Sequence, residues 1–172
     1  FGTSSNHDTL ITAINEIIET NVYCSLSIVT NVTENIKNFI DDIKKDKIKI
    51  KIIEFSESNL IKEAELSEVI IIPLFNDFKR LVKSSNRFVD AINFGRFIIT
   101  NKTKLHDELK PYCYSGNIID GINWGKKNQK KLFNMIVKGQ YFVKNSYSIK
   151  SIALEWKKLI KWSKNLKIYV YI

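Results

Sequence analysis

Basic, hydroxyl, amide and carboxylate side chains follow one another between residues 83 and 90. Lys83, Ser84 and Ser85 stand just ahead of an apolar pattern with helical spacing, and Asp90 lies about one turn inside it. The first N–H groups of a helix bind anions such as phosphate, because they have no carbonyl partner and the helix dipole favours negative charge. The carboxylate of Asp90 could accept hydrogen bonds from ribose hydroxyls. These residues therefore predict a site for phosphate and ribose, that is, for a nucleotide.

The same residues have a plainer interpretation, in which they only begin a helix. Ser84 or Ser85 is a good N-cap for a helix that contains Asn86. Lys83 and Arg87 are basic side chains of the kind that water usually solvates in a first helical turn. Capping and anion binding use the same residue types, so both interpretations stay open at this point.

Two apolar strands must position this segment. Residues 69–72 are a continuous apolar run, as expected for a strand covered on both faces, and Pro73 ends it. A loop containing Arg80 leads into the helix, and Gly95 stands where a left-handed C′ residue is expected. Residues 97–99 then form the next buried strand. In such an arrangement the ligand site lies at the carboxyl ends of parallel strands.

Strands and helices alternate along the rest of the chain. We expect helices at residues 7–20, 31–45, 56–66, 117–125, 128–144 and 148–162, and strands at residues 23–30, 47–55, 112–114 and 166–172. Gly2 and its polar neighbours are typical of a turn after a strand, so we expect a further strand ahead of it. This order predicts an α/β domain with a doubly wound parallel sheet and helices on both faces, over residues 1–165. Residues 166–172 would be a terminal strand or the start of a further segment.

Composition and charge exclude several classes of protein. The chain has 172 residues and a net charge of +9, but the lysines are spread along it and no zinc finger, RNP-type strand or basic zipper is present. Specific nucleic-acid recognition is therefore not expected. Cys24 and Cys113 stand near no histidine in a metal-ligand spacing, so we expect reduced, buried thiols in a cytoplasmic protein. No apolar run is long enough to span a bilayer.

The order of these motifs resembles a known family. Residues 70–100 are similar to the donor-binding half of glycosyltransferases of the two-domain GT-B architecture, most of all to the C-terminal domain called glycosyl transferases group 1. That family has two glutamates separated by seven residues, the second of which binds the nucleotide ribose. Asp90 stands at the second position, and the first falls on Val82. The later segments GINW and GQY, with Trp156, extend the resemblance over nearly the whole chain.

The resemblance implies a Rossmann-like domain that holds a nucleotide-diphospho-sugar and forms one half of a glycosyltransferase. Five kinds of position form the donor site in the family: one binds the ribose, some donate hydrogen bonds to the diphosphate, some neutralise its charge, some lie beside the base, and some let the backbone approach the sugar or phosphate. They correspond here to Asp90 for ribose, to Ser84, Ser85 and Asn86 as donors, to Lys83, Arg80 and Arg87 as cations, to Phe55 and Ser56 beside the base, and to Gly2 and Thr3. The resemblance requires no metal or cofactor. It implies a missing N-terminal domain that binds the acceptor, which could be a surface polysaccharide, a lipid-linked glycan or a protein.

Two other functions stay open. One is a non-catalytic doubly wound module for nucleotide binding or interaction, although its receiver-like form needs an acidic cluster at strand ends that this sequence lacks. The other is contact with the anionic inner face of a membrane through Lys150, Lys157 and Lys161 of the helix at residues 148–162. A solvated lysine face is the plainer explanation, because lysines are the default on the outer face of an amphipathic helix.

Overall fold

The structure of the chain is a computed structural model that describes residues 4–19, 23–31, 34–41, 48–73, 85–101 and 107–163. Strands and helices alternate in the first part of the described chain, and three helices end it. The elements are α1 (Ser4–Glu19), β1 (Cys24–Thr30), α2 (Glu34–Asp41), β2 (Ile48–Glu54), α3 (Glu57–Leu66), β3 (Val69–Ile72), α4 (Asn86–Asn93), β4 (Phe97–Thr100), a 3₁₀ turn (Lys110–Tyr112), β5 (Tyr114–Ser115), α5 (Ile118–Lys127), α6 (Gln129–Ser146) and α7 (Ile149–Ser163). The predicted α/β class is confirmed.

The described strands form two small parallel sheets. β1 pairs with β2 along its whole length, from Cys24 opposite Ile48 to Thr30 opposite Glu54. β4 lies between β3 and β5 and pairs with both in parallel. A helix lies between β1 and β2 and another between β3 and β4, because a short turn cannot return the chain to the start of a parallel strand.

Helices cover both faces of the three-stranded sheet. Successive strand residues point to opposite faces, so Ile98 and Ile99 mark the two sides. Both side chains are fully buried, Ile98 with α4 and α6, and Ile99 with α1 and α5. The partners of Ile98 include Phe88, Ala91, Ile92 and Val143, and the cluster around Ile99 includes Ala13, Ile17, Phe97 and Ile118. This double cover explains why β3 and β4 are continuous apolar runs.

The two-stranded sheet buries mainly one face. Ile28 of β1 is buried with Ile14 of α1 and with Ile36 and Ile40 of α2. On the other face of β2, the ammonium of Lys51 lies 3.2 Å from a carboxylate oxygen of Glu63 in α3. The alternation of isoleucine and lysine in β2 is therefore the expected pattern of a strand with one wet face.

α4 begins and ends where the sequence predicts. Ser85 is its N-cap residue and Phe94 its C-cap residue. Gly95 has a φ of 65°, so the predicted left-handed C′ position is confirmed. A Cβ at Gly95 would also lie 2.7 Å from the side-chain nitrogen of Gln140. That nitrogen donates to the Asn93 carbonyl at 3.0 Å, and α6 is thereby fixed to the end of α4.

The predicted strand at residues 112–114 was placed too early. Tyr112 belongs to the 3₁₀ turn, in which Pro111 occupies an early position that needs no backbone donor, and β5 begins only at Tyr114. Cys113, between them, is buried, and burial raises the pKa of its thiol to about 11. Cys24 is half-buried, so the prediction of buried thiols is right for one cysteine and only partly right for the other.

The apolar sides of α3, α6 and α7 are only partly covered. Ala64 is buried in α3, but the apolar residues beside it are exposed. α6 buries Gly139 and Val143, because these two face α4 and the 3₁₀ turn. The exposed apolar residues include Leu60 and Ile61 in α3, Phe133 and Val137 in α6, and Ile149, Ile152, Trp156, Leu159 and Ile160 in α7.

Two further predictions fall outside the described residues: the end of the helix at residues 42–45, and the strand at residues 166–172 with its domain boundary. In the described part of the chain, no helix has the length and hydropathy needed to cross a membrane.

Candidate nucleotide site at the carboxyl ends of the strands

The starts of α3 and α4 lie at the carboxyl ends of the strands that precede them. α3 begins three residues after β2 ends, and α4 runs back to the start of β4. The predicted residues in these two places are Phe55, Ser56, Ser85, Asn86, Arg87 and Asp90. The others, Gly2, Thr3, Arg80, Lys83 and Ser84, lie outside the described residues.

Asp90 of α4 is near enough to Glu57, the first residue of α3, for their two charges to interact. Partial burial raises the pKa of the Asp90 carboxyl, and the negative charge of Glu57 raises it further. Asp90 still exposes its side chain, so its carboxylate is accessible. The two residues are far apart in sequence, and they meet because both helices begin at the same edge of the parallel strands. Sequence reasoning missed Glu57; the signal available was an acidic residue in the first turn of a helix that follows a strand.

The turn between β2 and α3 is held by hydrogen bonds. The hydroxyl oxygen of Ser56 accepts from the Asn59 N–H at 3.1 Å, which is a side-chain N-cap. The Asn59 amide donates to the Glu54 carbonyl at 2.9 Å. The Phe55 N–H donates to the Thr30 carbonyl at 2.9 Å and so extends the pairing of β1 and β2. The Phe55 ring is 54% exposed, which leaves an aromatic surface beside Glu57.

Ser85 does not cap α4 with its side chain. The Tyr147 hydroxyl, at the end of α6, accepts a hydrogen bond from the Ser85 hydroxyl and donates to the Glu108 carboxylate. The backbone carbonyl of Ser85 accepts from the N–H groups of Phe88 and Val89 at 2.9 and 3.0 Å. Burial and the bond to Glu108 raise the pKa of Tyr147. The Ser85 side chain therefore does not cap α4, and its hydroxyl is already bonded to Tyr147 and is not free for a ligand.

Asn86 and Arg87 form the exposed first turn of α4. The first N–H groups of an α-helix have no intrahelical carbonyl, so these two can donate to an anion. Arg87 adds a positive charge beside them. The first turn of α4 thus has the donors that a phosphate needs, about one helical turn from Asp90.

The described residues include no cluster of three or more His, Cys, Asp or Glu side chains that could bind a metal ion. A groove of about 510 Å³ lies along α6 between Tyr112, Val137, Tyr141 and Phe142, with Lys138 as its charged residue. None of the predicted site residues lines it. The starts of α3 and α4 remain the better candidate site.

No family model, curated protein or solved structure matches this chain significantly. The resemblance to the glycosyl transferases group 1 domain therefore stays a prediction from the sequence. Functional interpretation depends on the residues at the starts of α3 and α4 and on their geometry.

Proposed function

We propose that this chain is the donor-binding domain of a glycosyltransferase. It holds a nucleotide-diphospho-sugar, and the sugar is transferred to an acceptor held by a second domain. Three features support the proposal: the order of the sequence motifs, the parallel α/β fold, and the polar residues at the carboxyl ends of its strands.

The observation that carries this proposal is that Asp90, an exposed carboxylate in α4, interacts electrostatically with Glu57, the first residue of α3. The two carboxylates repel each other, and both lie on helices that follow the carboxyl ends of strands. The two vicinal hydroxyls of a ribose are hydrogen-bond donors, and both carboxylates are acceptors. Asp90 accepts from the ribose hydroxyls in our proposal, and Glu57 assists it.

The nucleotide base and the diphosphate lie on either side of the ribose. The exposed ring of Phe55 offers a surface on which a planar base stacks. The N–H groups of Asn86 and Arg87 donate to the diphosphate, and Arg87 neutralises part of its charge. Such donors favour transfer because negative charge develops on the diphosphate as it leaves the sugar.

The residues outside the described ranges complete this site in our proposal. Lys83 and Arg80 add positive charge, Ser84 adds a donor, and Gly2 with Thr3 lets the backbone approach the sugar or phosphate. In this arrangement sugar transfer requires no metal, because the basic side chains of the protein supply the positive charge that balances the diphosphate.

The two sheets are proposed to be halves of one doubly wound, Rossmann-like sheet. Two contacts support this: residues of both sheets pack around Ile99, and the Glu16 carboxylate of α1 accepts from the Ile118 N–H of α5 at 3.3 Å. The implied order is β2, β1, one further parallel strand, β3, β4 and β5. A strand between β1 and β3 would join the inner edges of both sheets.

Calorimetric titration of the chain with UDP, GDP, CDP and ADP tests the proposal. We expect one nucleoside diphosphate to bind at least tenfold more tightly than the others. The four bases carry different hydrogen-bonding groups on their edges, so polar groups beside a stacked base favour one of them. Absence of binding to all four at millimolar concentration would contradict the proposal. Equal binding of all four and of inorganic pyrophosphate would show an anion site without a nucleotide site, which also contradicts it.

A further inference from the structure

α7 presents an apolar stripe to solvent. At about 100° per residue, five apolar side chains fall within an arc of about 120° around its axis. They are exposed: Ile149 by 89%, Trp156 by 62%, Leu159 by 55%, Ile160 by 53% and Ile152 by 44%. An amphipathic surface helix normally packs its apolar side on the core, so this stripe requires an occupant from outside the described residues.

Lysines border the stripe. Lys150, Lys157 and Lys161 project from one side of the helix, next to the stripe in the same projection. The acidic residue of the helix, Glu155, pairs with Lys158 at 2.6 Å, so its charge is largely neutralised. The stripe and its border together carry apolar and positive groups, without a competing negative charge.

Positive charge is also concentrated in the part of the chain that contains α7. Residues 110–172 contain 13 lysines and two acidic residues, a net charge of +11. Residues 1–109 contain 14 basic and 16 acidic residues, a net charge of −2. The lysines are spread along the chain, as the sequence suggested, but the acidic residues are not. The part of the chain that contains α5, α6 and α7 therefore produces a positive field.

We propose that α7 docks on an anionic lipid bilayer. Its apolar stripe enters the boundary between headgroups and acyl chains, and its lysines contact the lipid phosphates. This surface is independent of the nucleotide site, since α7 contains none of the residues proposed there.

The shape and charge of α7 favour a bilayer over the other occupants. Every residue from 152 to 161 is exposed, so α7 is a ridge without side walls, which suits a flat and deformable surface. A second copy of the chain would place the same lysine border opposite itself across a two-fold axis, and like charges would repel. An acidic protein partner would need a concave groove that matches the ridge.

Vesicle co-sedimentation tests the proposal. The full chain is mixed with vesicles of phosphatidylcholine alone, or of phosphatidylcholine and phosphatidylglycerol at about two to one, at low salt and at about 0.5 M NaCl. We expect binding to the anionic vesicles at low salt, at least tenfold weaker binding to the neutral ones, and partial loss in high salt.

Two matched variants separate the stripe from general charge. Leu159→Glu places a carboxylate within the stripe, and Leu154→Glu places the same carboxylate outside it, about 140° away around the same helix. The two leucines are almost equally exposed, at 55% and 51%, so neither change disturbs the core. We expect Leu159→Glu to weaken vesicle binding at least tenfold and Leu154→Glu, which places its carboxylate beside Lys150 and Lys157, to weaken it by a clearly smaller factor. Circular dichroism of both variants checks that α7 stays helical.

Three results would overturn the proposal. The first is no binding of the unchanged chain to anionic vesicles at low salt. The second is an equal loss of binding in both leucine variants, which would reduce the effect to net charge. The third is a dimer, seen by analytical ultracentrifugation, that Leu159→Glu dissociates and that does not bind vesicles, because the occupant of the stripe would then be a second copy.

Discussion

The Asp90 carboxyl of α4 is partly buried and interacts with the like charge of Glu57 in α3, and both effects destabilise the fold near neutral pH. Burial and Glu57 both raise the pKa of Asp90, so the folded protein holds the Asp90 proton to a higher pH than the unfolded chain does. Proton linkage then requires stability to fall as pH rises through the interval between the two pKa values. Residues that reduce stability in this way are frequent at binding sites.

Asp90→Asn should stabilise the protein and weaken nucleotide binding at the same time. The amide removes the repulsion from Glu57, and it also removes an acceptor for the ribose hydroxyls. We expect unfolding by urea at pH 7 to give an unchanged or higher free energy of unfolding, with a gain below about 1 kcal/mol because Asp90 is exposed. The gain should be complete above the raised pKa of Asp90 and disappear below about pH 4.

Asp120→Asn is the matched control for this change. Asp120 is an exposed carboxylate in the first turn of α5, where its negative charge interacts favourably with the helix dipole. Its replacement should lower stability slightly and leave nucleotide affinity unchanged. A loss of stability in Asp90→Asn, or nucleotide affinity equal to that of the unchanged chain, would remove Asp90 from the proposed site.

At the scale of elements, α5 packs very closely on the three-stranded sheet. Gly121 lies where a Cβ would be 2.9 Å from the Tyr114 ring and 3.0 Å from the Ile99 side chain. α5 and the side chains of Tyr114 and Ile99 belong to the same buried cluster, so neither can easily move away from an added methyl group. The glycine of the GINW segment is therefore explained by packing, and it needs no ligand.

Gly121→Ala should destabilise the protein by about 1–3 kcal/mol, because the added methyl group overpacks a dense core. Thermal unfolding followed by circular dichroism measures the loss. Asn123→Ala, on an exposed position of the same helix, should be neutral or slightly stabilising because alanine is the better helix former. A neutral Gly121→Ala would show that α5 can move away from the sheet at little cost.

At the scale of the whole molecule, two sheets share a core but do not share a strand among the described residues. β4 is paired on both sides, whereas the described partners of β1 and β3 lie on one side only. Among the described residues, no ladder pairs the inner edges of β1 and β3 as β3 and β5 pair the two edges of β4. This asymmetry is the structural basis for proposing a further strand between the two sheets.

Amide hydrogen exchange tests whether the inner edges of β1 and β3 are paired. If a further strand lies between them, as proposed, we expect the amides of β1 and β3 to exchange about as slowly as those of Phe97–Thr100 at the centre of the three-stranded sheet. Segment-resolved mass spectrometry measures the difference. Much faster exchange of about half of the amides in β1 and β3 would mean that the inner edges are unpaired, and the proposed order of strands would then be wrong.

Local sequence determined most of the secondary structure. Continuous apolar runs predicted β3 and β4, the isoleucine and lysine alternation predicted β2, and Gly95 predicted the end of α4. These features depend on neighbours within a few residues, where backbone geometry and side-chain periodicity act directly. The sequence also placed Asp90, Asn86 and Arg87 at the start of a helix after a strand, although it gave no distances between them and other elements.

Only the tertiary structure decided which residues meet and which faces are covered. The interaction of Asp90 with the charge of Glu57, and the hydrogen bond between the Ser85 and Tyr147 hydroxyls, join residues from different elements, and no local pattern encodes them. The amphipathic pattern of α7 was correct, yet its apolar stripe faces outward. A helical period states that one side of a helix is apolar; what covers that side depends on the helices and surfaces around it.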